Sequence, residues 1–557
     1  MRLRHFLPVA LGSGALVAAL LATAGGGTTS GGPSRPAATR PVETIAVHPL
    51  GGGRDLGPVG PSTPLRLDLA LSTPNRAELD RLINSGHTVA PDVYAREFLP
   101  PRSAVEKLVA DLDRSGLRAA WTPGTAMVAV TTTAAAAERY FSVRIDRFRE
   151  ANGRLDYAAA GQPDLRRFDG LVTAVAGLDN RTRTQTGSVG HPAHPARPAR
   201  ALSSGRVADS SGCAPADTSV YSPSQIASAY NFASLAAKGL KGTDQTVVFL
   251  EIDTFDQSDL DCFTSQYNES PISVSVAPQN WGTPDDSDHG EADLDLEIVH
   301  SLAPEAHLVV YYSDAPIADT AAAAQAAITA YPHAIFSVSL GHCEYGGSQS
   351  GSVPADQTVM HNALTQLASG GGTMFVSSGD SGAYTCGSDV TDQSGNVVPT
   401  VSYPASDPLV TSVGGTALFL SGSGSYGSEA TWGNPFEASG GGGGLSAFWK
   451  EPDWQSSADN KYSDGSRQVP DVSALGDPHT GWEIYSNGGW EPTGGTSAAA
   501  PLWAALGALA DQDLAAKQLP PLGFANPMLY SFGQAPSSQP SQPFFDVTSG
   551  NNLYYPA

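Results

Sequence analysis

Three stretches of this chain hold residue types able to do chemistry. In Thr493-Gly494-Gly495-Thr496-Ser497-Ala498-Ala499-Ala500-Pro501, a serine stands between two glycines and an apolar run that opens with Leu502-Trp503. Glycines permit a sharp turn, Thr496 or Ser497 is a helix-capping type, and proline is tolerated in a first helical turn. A serine there holds its hydroxyl at the positive end of a helix, where an alkoxide and an oxyanion find donors. In Glu291-Ala292-Asp293-Leu294-Asp295-Leu296-Glu297, Glu291 and Asp295 are four residues apart and share one helix face. Two carboxyls partly buried together raise one pKa and share a proton. Ser378-Gly379-Asp380-Ser381-Gly382 sets a third carboxyl in a tight loop. Taken singly, each has a plainer meaning: a serine N-cap, an acidic first turn favoured by the helix dipole, a polar loop. His289, with Asp253 as its orienting carboxylate, offers a histidine base in place of Glu291.

The elements that must position these residues follow from apolar patterning. After Cys213, apolar strands at 246–252, 307–312, 334–340, 373–377 and 409–413 alternate with helical segments at 223–236, 290–302, 318–330, 355–369 and 497–511. Strand–helix alternation with continuous apolar strands predicts a parallel sheet covered on both faces. Functional groups in such sheets gather at the carboxyl ends of strands. Ser339-Leu340-Gly341 and the Asp380 loop both fall at such ends. The glycine run 440–444 lacks the strand-to-helix context and the Gly-Lys-Ser/Thr of a phosphate loop.

Upstream, Leu65, Leu67, Leu69 and Leu71 alternate as in a half-buried strand. A helix capped at 73–75 runs to about residue 83, and a second opens at Ser103 with Val105, Leu108, Val109 and Leu112 on one face. A strand at 127–131, a helix at 133–141 and an apolar segment at 172–178 complete a compact α+β domain of its own. Residues 184–212, rich in Gly, Ser, His-Pro and Arg-Pro, read as a cleavable linker. Residues 1–24 have a basic start, an apolar core and Ala22-Thr23-Ala24, the pattern of a secretory signal peptide. Four cysteines in an exported chain fit two disulfides, and sequence proximity favours Cys213 with Cys262 and Cys343 with Cys386.

A chain of 557 residues is too long for one core. Its net charge of −24 is unevenly spread. Residues 1–204 carry 24 Lys and Arg against 17 Asp and Glu, a net +7, whereas the remainder carries 7 against 38, a net −31. The acidic surface repels nucleic acid, and later stretches are too short or too polar to span a bilayer. A basic leader and an acidic body predict an electrostatic clamp near neutrality that acid loosens.

Gly494-Gly495-Thr496-Ser497 with Pro501, the Glu291-x-x-Leu294-Asp295 helix and Ser378-Gly379-Asp380-Ser381-Gly382 resemble the sedolisin family of serine-carboxyl peptidases. Val469-Pro470-Asp471-Val472-Ser473 and Phe545-Asp546-Val547-Thr548-Ser549-Gly550-Asn551-Asn552 add to the likeness, and residues 43–183 resemble a kumamolisin-type activation prodomain. The resemblance implies an α/β fold, a subtilisin-like doubly wound, mostly parallel sheet over 213–557, preceded by the smaller α+β prodomain. It implies Ser497 as nucleophile, Glu291 as general base, Asp295 as its orienting partner, Asp380 in the oxyanion hole and Ser339-Leu340-Gly341 as the strand that receives substrate backbone. It further implies a secreted, monomeric zymogen, acting on protein or peptide with its own prodomain as inhibitor and no membrane attachment after signal removal. Calcium is implied at Asp546 and Val547, but no aspartate follows Asp546, so the second half of that ligand set is missing. The alternatives are a histidine-based subtilisin-like protease using Asp253, His289 and Ser497, and an inactive secreted binding protein on the same scaffold.

Overall fold

The computed structural model describes residues 46–47, 53–186, 213, 220–278, 281–285, 289–346, 352–456, 462–533 and 544–555. Residues 1–24, expected to be a signal peptide, and most of the expected linker 184–212 lie outside them. No helix among the described residues is long and apolar enough to cross a membrane.

The sheet of the larger, C-terminal domain has eight strands. In chain order they are β1 (Thr246–Glu251), β2 (Val274–Val276), β3 (His307–Tyr312), β4 (Ile335–Val338), then β6 (Thr373–Ser377), β7 (Thr411–Leu420), β8 (Tyr426–Thr431) and β9 (Val472–Leu475). A short separate strand, β5 (Leu340–Cys343), follows β4. The spatial order is β2-β3-β1-β4-β6-β7-β8, with β9 also on β7, and every pair is parallel except β7 with β8. The central strands bury nearly every residue (Val247 to Leu250, Val309, Val310, Phe336 and Val376 are at most 1 % exposed), as a sheet covered on both faces requires.

Helices α1 (Gly290–Leu302) and α4 (Thr496–Ala516) pack together over one face, and α2 (Ile317–Ala330) with α3 (Ala355–Gly370) over the other. Winding reverses between β1 and β4, so the carboxyl ends of β1, β4 and β6 open onto one crevice. The expected helix 223–236 is instead two short ones, Pro223–Ala229 and Phe232–Ala236. Asn231 at φ 66° breaks it. The expected strand 334–340 breaks at Ser339. Both disulfides form as paired in the sequence reading.

The leader is a four-stranded antiparallel sheet, Arg118–Trp121, Met127–Thr133, Pro64–Leu71 and Val172–Ala176 in spatial order. Leu65, Leu67 and Leu69 pack on its own helices with Val105, Leu108 and Leu112. Its second face is not solvated. Ala70, Met127, Ala174 and Ala176 join the apolar cluster of α2 and α3, including Ala321, Ala324, Met360 and Ala363. The leader is therefore not closed on itself, as the alternation in 65–71 had implied. Small residues on that face let the sheet lie flat on two helices of the other domain. Polar contacts seal the joint: Asn362 Nδ2 donates to the Leu71 carbonyl (2.9 Å), and the Val89 amide to the Ser369 carbonyl (2.7 Å).

Candidate active site

α4 starts at Thr496 and its cap position is Gly495, at φ 94°, where a side chain is strained. Thr496 and Ser497 are thus the first two helical residues, and neither caps the helix as the sequence reading expected. Pro501 falls inside the helix instead of in its first turn. Proline lacks the N–H that bonds the carbonyl four residues back, here that of Ser497. That carbonyl oxygen instead lies 3.3 Å from the Ser339 hydroxyl.

Ser339, in the break between β4 and β5, links the serine to the acidic helix. Its hydroxyl donates to Asp295 Oδ1 (2.7 Å), and its carbonyl accepts from the Ser497 hydroxyl at 3.5 Å. Asp295 is fully buried on α1. Glu291, one turn earlier and 1 % exposed, is anchored by its amide, which donates to Asp253 Oδ2 (3.1 Å). Beneath them lies Glu251, the last residue of β1. Burial pushes its carboxyl well above the usual range, and the charges of Asp295, Asp253 and Glu291 push it further. Burial likewise raises Asp295 to about 8, against the hydrogen bond from Ser339. Two carboxyls facing each other bond only if one keeps its proton. Burial pushes both members of the Glu251–Asp295 pair up, so the pair as a unit holds on to a proton.

Asp380, at the end of β6, is held on one side only. Its Oδ1 accepts from the Thr496 amide (2.7 Å) and hydroxyl (2.8 Å). Its Oδ2 is buried and has no hydrogen-bond partner among the described residues. Burial raises this carboxyl to about 7 despite the two bonds from Thr496. A proton on Oδ2 makes that side of the carboxyl a hydrogen-bond donor, on a group tied to Thr496, the residue before Ser497. The glycine run fixes this loop. The Gly442 amide donates to the Gly379 carbonyl (2.6 Å), the Gly440 amide to the Asp380 carbonyl (2.9 Å), and a Cβ on Gly442 would sit 1.9 Å from the Ser378 carbonyl oxygen.

The fold thus brings Ser497, Ser339, Asp295, Glu291 and Asp380 to one place, with Leu340 and Gly341 continuing the strand from Ser339. His289 caps α1 from outside its face, its Nδ1 set against the Thr254 carbonyl (2.8 Å) and hydroxyl (3.0 Å). Asp253 takes the Glu291 amide. Asp546 is exposed, and no group of three His, Cys, Asp or Glu side chains close enough to hold a metal occurs among the described residues. One carboxylate and the Val547 carbonyl fall short of the six to eight oxygens calcium prefers, so these residues do not by themselves fit that ion.

Sequence reasoning missed Glu251, Thr496 and Arg467. Glu251 ends an apolar strand, and a lone carboxylate there was the available signal. Thr496 was read as a cap, whereas it holds Asp380. Arg467, wholly buried, grips Asp471 through Nη1 (2.6 Å) and Nη2 (2.5 Å) and so fixes the turn before β9.

Comparison with known proteins agrees with this geometry. Residues 52–181 match the family described as Pro-kumamolisin, activation domain, and residues 281–522 match the Subtilase family. The chain is 34 % identical to kumamolisin of Bacillus sp. (strain MN-32) over 60 % of its length and 57 % of that protein. It is 28 % identical to sedolisin of Pseudomonas sp. (strain 101) over 88 % and 79 % of the respective lengths. With xanthomonalisin of Xanthomonas sp. (strain T-22) it shares 30 % identity over 88 % and 62 %. It therefore spans less than two thirds of kumamolisin and of xanthomonalisin. Among solved structures, Pseudomonas sedolisin (serine-carboxyl proteinase) complexed with two molecules of pseudo-iodotyrostatin aligns with TM-score 0.52 and 28 % identity, over 61 % of this chain and 91 % of that one. An activation domain docked on a subtilisin-like sheet, with a serine among carboxyls at its carboxyl edge, is the arrangement in which this chain is similar to these sedolisin-type relatives.

Proposed function

We propose that this chain is a secreted serine-carboxyl endopeptidase, made as a zymogen and active in acid. Ser497 attacks a peptide carbonyl and Glu291 takes the hydroxyl proton. Asp295, oriented by Ser339, positions Glu291 and shares its charge. Protonated Asp380 donates to the oxyanion of the tetrahedral intermediate. Glu291 then gives the proton to the departing amine, and water releases the acyl group from Ser497 by the reverse sequence. The enzyme acts as a monomer on protein or peptide, its own leader being the intramolecular inhibitor. It binds no nucleic acid and, once the signal is removed, no membrane.

The observation that carries this reading is the one-sided grip on Asp380. Both described bonds to its carboxyl fall on Oδ1, and burial holds its pKa near 7. An ionised Asp380 repels an oxyanion, whereas the acid form stabilises it. A carboxylate base also stays functional where histidine, of reference pKa about 6.5, is already protonated.

Hydrolysis of a protein substrate from about pH 3 to pH 7, with Ser497→Ala as blank, tests the reading. Activity is expected to be greatest in acid and to fall as Asp380 ionises near pH 7. Glu291→Gln is expected to lower kcat by about 1,000-fold. Asp380→Asn, which donates without a proton, is expected to extend activity to higher pH. Full activity in Glu291→Gln, with a neutral optimum, would point instead to His289.

A further inference from the structure

One contact between the leader and the larger domain ends on a histidine. Arg76, at the start of the leader helix Arg76–Asn84, sets its Nη2 2.6 Å from Nε2 of His361 on α3. On its other side the His361 ring meets Asp407, with Nδ1 2.8 Å from Oδ2. Asp407 is fully buried and accepts two further bonds, from the Leu409 amide at Oδ1 (2.9 Å) and from the Tyr403 hydroxyl at Oδ2 (3.1 Å). His361 is itself buried, and its ring lies against that of Trp449, the centroids 4.5 Å apart.

These partners fix the tautomer. A guanidinium only donates, so Nε2 presents its lone pair to Arg76. The single proton of the neutral ring therefore sits on Nδ1 and is donated to Asp407. A second proton has only Nε2 to go to. There it removes the acceptor and sets two cations against each other across the 2.6 Å contact. The protonated ring keeps its counter-ion in Asp407, and the Trp449 face also favours a cation. Histidine is the side chain that ordinarily changes charge between about pH 5 and 8.

We propose that His361 is a proton-operated latch between the leader and the larger domain: its neutral ring holds Arg76, and its protonated ring turns Arg76 away. Departure of Arg76 frees Nε2 for a proton, so undocking at this point takes up a proton and is favoured as pH falls. The inference concerns docking and does not depend on the chemistry at Ser497.

The charged and titratable groups around the latch keep this sign. From the leader, Arg76 is also paired with Asp80 (2.6 Å), and the nearby Tyr94 hydroxyl is kept protonated by burial. From the loop 403–407 come Asp407 and the Tyr403 hydroxyl, which burial also keeps protonated. Arg467 lies near Asp407, but both its terminal nitrogens are engaged with Asp471. Other holds on the leader are separate from the latch. Gln185–Thr186 pairs antiparallel with β5, running from Gly341 towards Leu340. Asp68, which burial and Asp319 raise to about 8, takes up a proton on docking and acts with the opposite sign. The latch is therefore read as a difference between variants that share these holds.

The test uses the full chain carrying Ser497→Ala, which stays uncleaved. Amide hydrogen exchange of residues 76–84 and 355–370 is read at about pH 7.5 and about pH 5, corrected for the intrinsic pH dependence of exchange. From the higher to the lower pH, opening of both segments is expected to rise about tenfold more in this parent than in His361→Gln, whose amide oxygen accepts from Arg76 and takes no proton. Arg76→Met is expected to be open already at the higher pH and to lack the same step. Arg76 is partly exposed, so this second variant decides the matter even if His361→Gln does not fold. Equal pH dependence in the parent and in Arg76→Met overturns the inference, as does a His361→Gln chain that opens with the parent.

Discussion

The strands at the edge of the leader and helix α1 of the larger domain both bury carboxylates, and they neutralise them by different means. In the leader, arginines do it: Arg144 meets Asp146, Arg154 meets Asp156 at 2.7 Å, and Arg181 meets Glu150 at 2.8 Å while lying over the Phe148 ring. On and beneath α1, protons do it. Glu251, Asp293, Asp295 and Glu297 are at most 1 % exposed, and none takes part in a described ion pair. Burial raises Asp293 and Asp295 to about 8 and pushes Glu251 and Glu297 well above the usual range. An isolated buried charge is too costly to keep, so such a group either pairs or stays protonated.

Protonation of that cluster has a consequence for pH. A carboxyl whose folded pKa is raised stabilises fully below its unfolded value near 4, and that contribution is lost as pH climbs to about 8. Acid therefore favours the fold around α1. Ten of the described ion pairs lie inside the leader and only two, Arg66–Asp319 and Arg183–Asp314, cross between domains.

The largest expected effect lies at the candidate site. Asp295→Asn is expected to cut kcat by about 100-fold or more, while Glu251→Gln, whose amide is a donor without a titrating proton, retains most activity. Steady-state kinetics at about pH 4 checks both. The next largest effect concerns pairing. Arg467→Met strands Asp471 in the core and is expected to cost about 3–5 kcal/mol, read by denaturant unfolding of the larger domain. Arg181→Met is expected to cost the leader about 3 kcal/mol. If protons neutralise the α1 cluster, Asp293→Asn keeps an acceptor for the Asp256 amide, donates to the Ser486 hydroxyl where the aspartate accepts from it, and removes a titrating group. Thermal melts should show it more stable than the parent at pH 8, by about 2 kcal/mol, and little changed at pH 4. A parent whose stability rises between pH 4 and 8 would break the comparison. The smallest effect belongs to the interface. Burial and Asp319 raise Asp68 to about 8, so docking there holds a proton and weakens as pH rises from about 4 to 8. Asp68→Asn should flatten that dependence by about 1 kcal/mol, measured as leader retention across pH in an uncleaved Ser497→Ala chain.

Much of the architecture was legible because β3, β6 and α1 are continuous apolar or amphipathic runs with clear limits. The structure reproduces residues 307–312, 373–377 and 290–302 at the expected bounds. The antiparallel elements were not. β8 and the hairpin 482–493 are short or mixed in character and form through pairing with neighbours. In the site, Ser497, Glu291, Asp295 and Asp380 stood out as reactive types in tight contexts. Glu251 did not, since one acid at a strand end says nothing until the strand order sets it under α1. Ser339 appeared only as part of a substrate strand, and its bridge from Asp295 to Ser497 depends on the break between β4 and β5.

The sequence by itself determined which groups are present, where the helices bearing Glu291 and Ser497 begin to within a residue, and the division into a basic leader and an acidic body. Those are local properties, set by periodicity, glycine placement and composition. Only the tertiary structure decided which carboxyls carry protons, that the open face of the leader is completed by α2 and α3, and that the chain leaving the leader runs along β5 towards Ser497. Proton affinity depends on burial and on neighbours distant in sequence, and strand register depends on an edge that exists only once the sheet is built.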